Sequence, residues 1–545
     1  KEPYASKIVD DYRRFYRKYL LEYASFLVSE AKACGMEVLP VINIHGFANE
    51  GKTFPIGLSQ LVDVMGMQGV ISATDVYPRY IGEGNFHQLL LINEMTKSLQ
   101  NKQQALFSIE FQAGGNQDFS NGQSSFFDLH TRLCISSGMR AINHYLFFDG
   151  ENDPLLSPVK RHDWGHPVRK DGSLRKHYYR YPKLSKALSS YGTDLVLARP
   201  QTVTTIGYLI DYFMTEVNNS FTQKPTSIIT HQRDDILFDL LARGLALTHR
   251  PFNAIDLNRC ALDVRHIPLC WVMLDKQCDA GTQQKLVEYV ESGGKLIIAG
   301  RMCIEDFNHQ ACTILKDAVG IRAITSDAPF VSNLISVFQY CDVPVSFLET
   351  YSGKFDEVFA RSKDGKIVGF IQSLGNGQIS MFGASMTANT LDDLDVVHQM
   401  GMLMGCPPLF KLSNWADVRI SRGKKGNFLF INNYQDDPLE TTIEYDSKLL
   451  FGGNALYVPA RRGLILPLDW QLNKNVAIHY ATSEIVEIID DGSTIVLKLD
   501  PPEFHAALSI AGYQCDQCEG HAEHGQALCV HIHSNEGIIV LRAVA

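Results

Sequence analysis

The sequence predicts an α/β chain that gives way to β structure, and three observations carry that expectation. Short apolar runs alternate with helical stretches over residues 1–195. The alternation resumes over 196–410, and from about 411 only short alternating strands separated by turn signals remain. A chain of 545 residues, at about 150 residues per domain, is long enough for three or four such units.

The first unit opens on helical periodicity over 8–33, with Tyr12, Phe15, Tyr19, Tyr23 and Phe26 on one side. A β-type run, Val38–His45, follows. The segment 56–66 reads as helix, 69–77 as strand, 86–100 as helix, 105–110 as strand, 125–139 as helix and 141–148 as strand. Each strand ends in polar or aromatic residues: Asn43 and His45, Asp75 and Tyr77, Glu110 and Gln112, His144 and Tyr145. In a (β/α)8 barrel, active-site groups project from the carboxyl ends of the strands, so these pairs mark one functional rim. Four strands make half a barrel, and no further four follow downstream.

In the second unit a strand at 204–210 leads to a helix at 233–248, a strand at 267–274 and a helix at 281–292. The pair Gly293-Gly294 caps that helix before the strand Lys295–Gly300, and a helix around 391–404 closes the unit. This is the pattern of a flavodoxin-like sheet. The turns at 423–426, 434–437 and 490–492 divide the third unit into the short strands of a β-sandwich.

Composition narrows the function. Apolar residues make up 45% and charged residues 20%, and 60 acidic against 50 basic residues give a net charge of -10. Such a field repels nucleic acid and anionic membrane surfaces, and no apolar run is long enough to span a bilayer. The twelve cysteines, among them Cys34, Cys134, Cys270 and Cys341, are scattered singly, as small hydrophobes in a reducing, cytoplasmic compartment. Lys1-Glu2-Pro3-Tyr4 carries neither an initiator Met nor a signal peptide, so the chain is expected to begin inside a longer protein.

One carboxylate stands out. Glu110 ends the strand Leu106-Phe107-Ser108-Ile109 and precedes a glycine-containing loop through which a ligand can approach the backbone. By spacing alone, such a Glu is more often a helix cap or a surface charge than a catalytic group.

The run Val41–His45 with Lys52–Gln60, the strand Ser108–Gly115, the segment Gly138–Gly150, and His162–Pro167 with Asp171-Gly172 together resemble bacterial proteins related to glycoside hydrolase families 35 and 42. The last segment is similar to the family's Tyr-Asp-Tyr-x-Ala-Pro…Gly and departs from it at Trp164 and His166. These are clan A retaining glycosidases and include exo-β-glucosaminidase-like members. The resemblance implies that Glu110 is the nucleophile at the end of barrel strand seven, which makes the four strands numbers five to eight. The acid/base, a Glu on strand four, is then expected upstream of residue 1. Asn49-Glu50, Glu83 and Asn93-Glu94 are poorer substitutes, the first beside the wrong strand and the others solvated.

Among supporting residues, Asn43 and His45 fit hydrogen bonds to sugar hydroxyls, or strand-end capping. Asp75, Tyr77 and Gln112 face the same rim. His144 and Tyr145 alternate across their strand, so one of them points inward, and Tyr145 is favoured. Trp164 fits an aromatic floor for a sugar or plain packing. No metal or organic cofactor is implied. Cys515-x-x-Cys518-x-x-His521-x-x-His524 has the residue types of a zinc site but not the spacing of a standard finger, and Cys303 lacks the Gly-x-Cys-x-Gly elbow of an amidotransferase nucleophile.

The expected function is a retaining exo-β-glycosidase acting on terminal β-D-galactosides or β-D-glucosaminides through a glycosyl-enzyme on Glu110. Its partner is then an oligosaccharide or β-glycoside, and a homo-oligomer is expected by resemblance. The fragment itself is expected to be inactive without its N-terminal half. The competing expectation is a non-catalytic carbohydrate-binding or scaffold protein.

Overall fold

A computed structural model describes residues 4–48, 60–78, 80–114, 124–162, 165–327, 330–515, 519–524 and 527–544. The first helix, α1, runs Ala5–Ala33. Four parallel strands follow, β1 (Val41–Ala48), β2 (Ile71–Tyr77), β3 (Leu106–Gln112) and β4 (Met139–Tyr145), hydrogen-bonded in chain order. Helices α2 (Phe86–Leu99) and α3 (Ser124–Ser136) cross between the later strands. This is the βαβ wrapping expected when polar ends alternate with apolar bodies, because a parallel pair needs a long crossover. The helix expected over 56–66 is only Val62–Met65 among the described residues.

Two of the sheet's surroundings differ in kind. α2 is buried almost throughout, wedged between the strands and the second unit. α1 buries only Ala5 and Val9, and Tyr12, Phe15, Tyr19, Tyr23 and Phe26 stay exposed.

Beyond helix α4 (Arg180–Leu197) lies a second parallel sheet, made of β5 (Thr204–Tyr208), β6 (Phe252–Asp256), β7 (Leu269–Leu274), β8 (Lys295–Gly300) and β9 (Gly377–Phe382). The spatial order is β6-β5-β7-β8-β9, the 2-1-3-4-5 order of doubly wound folds. Helices α5 (Gln223–Gln232), α6 (Ala280–Glu291) and α7 (Leu391–Leu403) flank it. α5 runs on through Arg233–Ala242 in π form, a change of hydrogen-bond register invisible to a 3.6-residue pattern. A group of antiparallel strands between Ala323 and Leu374 extends the sheet, an insertion not anticipated from the sequence.

The C-terminal part is a β-sandwich. An antiparallel sheet containing Asn427–Asn433, Arg462–Gln471, Val476–Ala481 and Phe504–Ile510 packs on a smaller one formed by Glu484–Asp490, Thr494–Asp500 and Ile538–Ala543. α4 packs with this sandwich: Tyr191 lies in its core and donates to the Ile465 carbonyl at 2.7 Å. Nine described cysteines are free thiols, in line with most being single small hydrophobes, and Cys515 is disulfide-bonded.

Buried polar contacts fix the three parts to one another. Ser98 of α2 meets the Tyr208 hydroxyl at 2.6 Å, and His87 meets Asp239 at 3.1 Å. Arg132 of α3 reaches across 352 positions to Glu484 at 2.6 Å and donates to the Gly463 carbonyl at 2.7 Å. Both partners of that ion pair are almost wholly buried, so losing one strands an uncompensated charge. Arg132→Leu is expected to cost about 3–5 kcal/mol in chemical denaturation, whereas the double change Arg132→Leu/Glu484→Leu recovers most of it. Equal losses in the two variants would mean that the pair does not pin the sandwich to the sheet.

Candidate functional site

The carboxyl ends of β1 to β4 form one rim. Register pairs Asp75 of β2 with Glu110 of β3, so two carboxyl groups stand side by side in adjacent strands. The β1–β2 ladder aligns Asn43 two positions below, against Ala73, and brings its side chain to the same cluster.

Glu110 is half-buried and accepts two hydrogen bonds. Asn43 Nδ2 donates to Oε1 at 2.9 Å, and the Tyr77 hydroxyl donates to Oε2 at 2.6 Å. Both carboxyl oxygens are thereby held in a fixed plane, which leaves the group little rotational freedom. Tyr145 meets the Tyr77 ring edge-on, with centroids 6.0 Å apart. Burial and the neighbouring acids Glu110 and Asp75 push both phenols above their usual range, so they remain donors at any ordinary pH.

Asp75 is the buried member of the carboxyl pair. Burial, then the charge of Glu110, pushes its carboxyl up to about 7, against a hydrogen bond from Asn43 that lowers it. At neutral pH a large share of the molecules therefore hold a neutral Asp75 beside Glu110. The cluster thus offers an acceptor carboxylate, a protonatable acid and two phenol donors on one open face.

The remaining expected residues divide. Gln112 is buried and its amide donates to the Gly114 carbonyl at 2.7 Å, so it shapes the loop after β3. His144 turns to the helical side, edge-on to Tyr181 at 4.7 Å, and burial lowers it to a neutral ring. That leaves the rim to Tyr145. The side chain of His45, Trp164, Glu50, Cys518, and the side chains of His521 and His524 lie outside the described residues. No cluster of metal-ligating groups occurs among the described residues.

A supporting trio went unassigned in the sequence. Asp149 accepts from His166 Nδ1 and from Arg175 Nη1, both at 2.6 Å, and Arg175 also donates to the His166 carbonyl. Burial raises Asp149, yet the bonds from Arg175 and His166 outweigh it and hold the carboxyl below the usual range. His166 in turn closes on Gly114, where any Cβ would stand 2.9 Å from its ring. The trio therefore locks the loops that follow β3 and β4. The signal lay in the segments Gly138–Gly150 and His162–Pro167, but nothing in their spacing joined Asp149 to Arg175.

Comparison with known proteins fits this frame. A family model described as "GLMA-like, second domain" matches residues 222–357. The chain is 23% identical over 445 residues to a β-1,2-glucosyltransferase of Ignavibacterium album, a match covering 78% of this chain and 62% of that protein. It is 25% identical over 369 residues to an exo-β-D-glucosaminidase of Pyrococcus horikoshii, covering 64% of this chain and 45% of the relative. The chain thus spans between about half and three-fifths of the curated relatives it matches.

Among solved structures, it superposes on a catalytic mutant of Gan42B, a family 42 β-galactosidase from G. stearothermophilus, with a TM-score of 0.67 at 14% identity. That match covers 84% of this chain and 68% of the other. A β-galactosidase from Bacillus circulans gives 0.65 at 16% identity, covering 84% and 67%. The chain therefore shares the fold of these structures, a parallel α/β sheet followed by further α/β and β-rich parts.

The Asp75 proton makes a pH-dependent signature. Between about pH 4 and pH 7 the unfolded chain loses this proton while the folded chain keeps it, so the folded state binds more protons and stability falls as pH rises. Asp75→Asn is expected to remove that slope: its unfolding midpoint gains on the parent from pH 4 to pH 7 and the gain then levels off. Parallel stability curves over this range would show that Asp75 is not held protonated.

Proposed function

We propose that the protein acts on β-glycosides with retention of configuration, and that Glu110 is the nucleophile that forms a covalent glycosyl-enzyme. One observation carries the reading: a carboxylate at the carboxyl end of a parallel strand has both oxygens fixed by Asn43 and Tyr77 and opens onto the rim. A nucleophile of this kind gains from such fixing, because the attacking oxygen is held in line before the sugar arrives.

A Glu110 oxygen attacks the anomeric carbon, the glycosidic C–O bond breaks, and the leaving oxygen takes a proton from an acid/base. Following the family resemblance, that acid/base is proposed to be a Glu on a barrel strand that precedes β1 in barrel order. Water, activated by the same group, then releases the sugar. Tyr77 holds the departing carboxylate, and Tyr145 and Asn43 are offered to ring hydroxyls. Asp75, His45 and Trp164 complete the proposed sugar contacts, while Gln112 shapes the loop beside them.

The terminal sugar is proposed to be β-D-galactose or β-D-glucosamine, supported by the family 42 galactosidase fold and the exo-β-D-glucosaminidase relatives. A second reading is favoured by the relative that matches most of this chain, a β-1,2-glucosyltransferase: the same glycosyl-enzyme passes its sugar to another sugar's hydroxyl instead of water. Both readings need Glu110. They differ in what attacks second.

A mechanism-based label tests the nucleophile without relying on the acid/base. A 2,4-dinitrophenolate leaves unprotonated, so 2,4-dinitrophenyl 2-deoxy-2-fluoro-β-galactoside and its 2-fluoro-glucoside counterpart are expected to form one adduct per chain on the peptide holding Glu110. Glu110→Gln is expected to form none while keeping the parent's circular dichroism. An adduct elsewhere, or an undiminished Glu110→Gln, would sink the assignment. In the full-length protein Glu110→Gln is expected to abolish turnover of an aryl β-glycoside. Tyr77→Phe, which removes a hydrogen bond to a charged group, is expected to lower kcat/KM by about 10- to 100-fold.

A further inference from the structure

Away from the rim, a crevice of about 500 Å³ opens between α1 and the carboxyl ends of β5, β7 and β8. Its position follows from strand order. β5 continues to β6 on one side of the sheet and β7 continues to β8 on the other, so the loops leaving the adjacent strands β5 and β7 diverge. In open parallel sheets this switch point is where ligands bind, because the diverging loops leave a gap lined by strand-end side chains. Here Asp211 and Tyr212 follow β5, Asp275 and Lys276 follow β7, and Arg301 follows β8.

The charges in the crevice are not evenly spent. All four lining acids are engaged within the protein. Glu349 accepts from the Met302 amide, Ser326 and Tyr351 at 2.7–2.9 Å. Asp211 accepts from Arg17 at 3.0 Å and Asn258 at 3.2 Å. Asp10 pairs with Arg13 at 3.6 Å and His309 at 3.7 Å, and Asp275 with Arg301 at 3.5 Å.

Arg301 is the reverse case. That 3.5 Å contact is the one side-chain hydrogen bond of its guanidinium among the described residues, although the group has five N–H donors and lies 4.6 Å over the Phe347 ring. Its backbone is fixed by Gly300, whose positive φ of 111° admits no side chain: a Cβ there would stand 2.4 Å from the Leu274 carbonyl. The glycine turn therefore presents this guanidinium to the crevice. Its charge is shared with Asp275 and Glu349, but most of its donors make no side-chain hydrogen bond among the described residues. The crevice is also lined by the apolar side chains Phe307, Ile229, Ile304 and Ile324, and by the cations Arg13, Arg14, Lys224 and Lys276.

We propose that this crevice is a second ligand site, which binds a small organic oxyanion, a carboxylate or phosphate monoester with an apolar body. The oxyanion sits on Arg301 and the body lies against Phe307, Ile229 and Ile324. α1 forms the roof and is tied down by Arg17 to Asp211 and by Arg13 to the Val217 carbonyl at 2.5 Å. The site thus joins the first α/β unit to the second, and an occupant stiffens that junction.

Calorimetric titration of the intact chain with phenyl phosphate and with benzoate tests the site, with inorganic phosphate and phenol as half-ligands. Saturable binding of at least one full probe is expected, at least tenfold tighter than either half-ligand. Arg301→Met is expected to weaken it tenfold or more, and Ile229→Trp, which fills the crevice without touching the charge, to abolish it. Glu110→Gln is expected to bind unchanged, which separates this site from the glycoside rim. No saturation by either probe overturns the proposal, as does binding that survives Ile229→Trp, binding that depends on Glu110, or inorganic phosphate binding as tightly as phenyl phosphate. Should Arg301→Met not fold, the Ile229→Trp titration alone decides.

Discussion

Two carboxyl groups placed in register on adjacent parallel strands constrain the whole rim of the first sheet. Asp75 and Glu110 cannot both be charged cheaply at that separation, and burial decides which one keeps the proton. The proton goes to Asp75, the more buried partner; Tyr77 donates to Glu110, and Asn43 serves both carboxyl groups. Had Tyr77 been a Phe, one carboxyl oxygen would lose its holder. The arrangement of the other rim side chains follows from serving this asymmetric pair.

The asymmetry needs rigid loops, and the structure supplies them from outside the rim. Asp149 is tied to both His166 and Arg175, so the segments after β4 close over Gly114 and cannot swing away from β3. Behind the strand, His130 stacks on Phe111 at 4.5 Å, and burial lowers it to about 3, which keeps it an uncharged ring. A charged imidazole there would have to find an acceptor or distort β3. α3, which carries His130, is itself anchored by the ion pair that joins Arg132 to Glu484 of the sandwich, so the support behind Glu110 reaches into the C-terminal part.

Periodicity carried much of this into the sequence, and its limits are physical. The alternation of apolar strands and helices announces a parallel sheet, and polar strand ends announce a rim, because both follow from local spacing. The antiparallel strands of 323–374 escape the same reading, since edge additions to a sheet alternate weakly and borrow their burial from a neighbour. The π stretch Arg233–Ala242 escapes because a shift from four- to five-residue hydrogen bonding leaves composition untouched. Contacts such as Arg132–Glu484 and Asp149–Arg175 join residues that no local pattern connects. Gln112 shows the converse: as a polar residue at a strand end it is expected on the rim, but its amide closes a turn onto Gly114.

The two α/β units are coupled by more than proximity. They share one continuous apolar core that runs from Ile44 and Phe111 through Tyr208 and Trp271 to Val397, so neither sheet is packed independently of the other. α2 is the shared wall: its Ser98 bonds Tyr208 of β5 and its His87 bonds Asp239 of the π stretch. Because packed interiors transmit strain and do not absorb it, a change of shape at the switch point of the second sheet is felt by α2 and, through it, by the strands that carry Asp75 and Glu110. α1 adds a polar connection on the far side through Arg17 and Asp211. α1 and α2 thus tie the second sheet to the first unit from two sides, one by a polar contact and the other by buried packing.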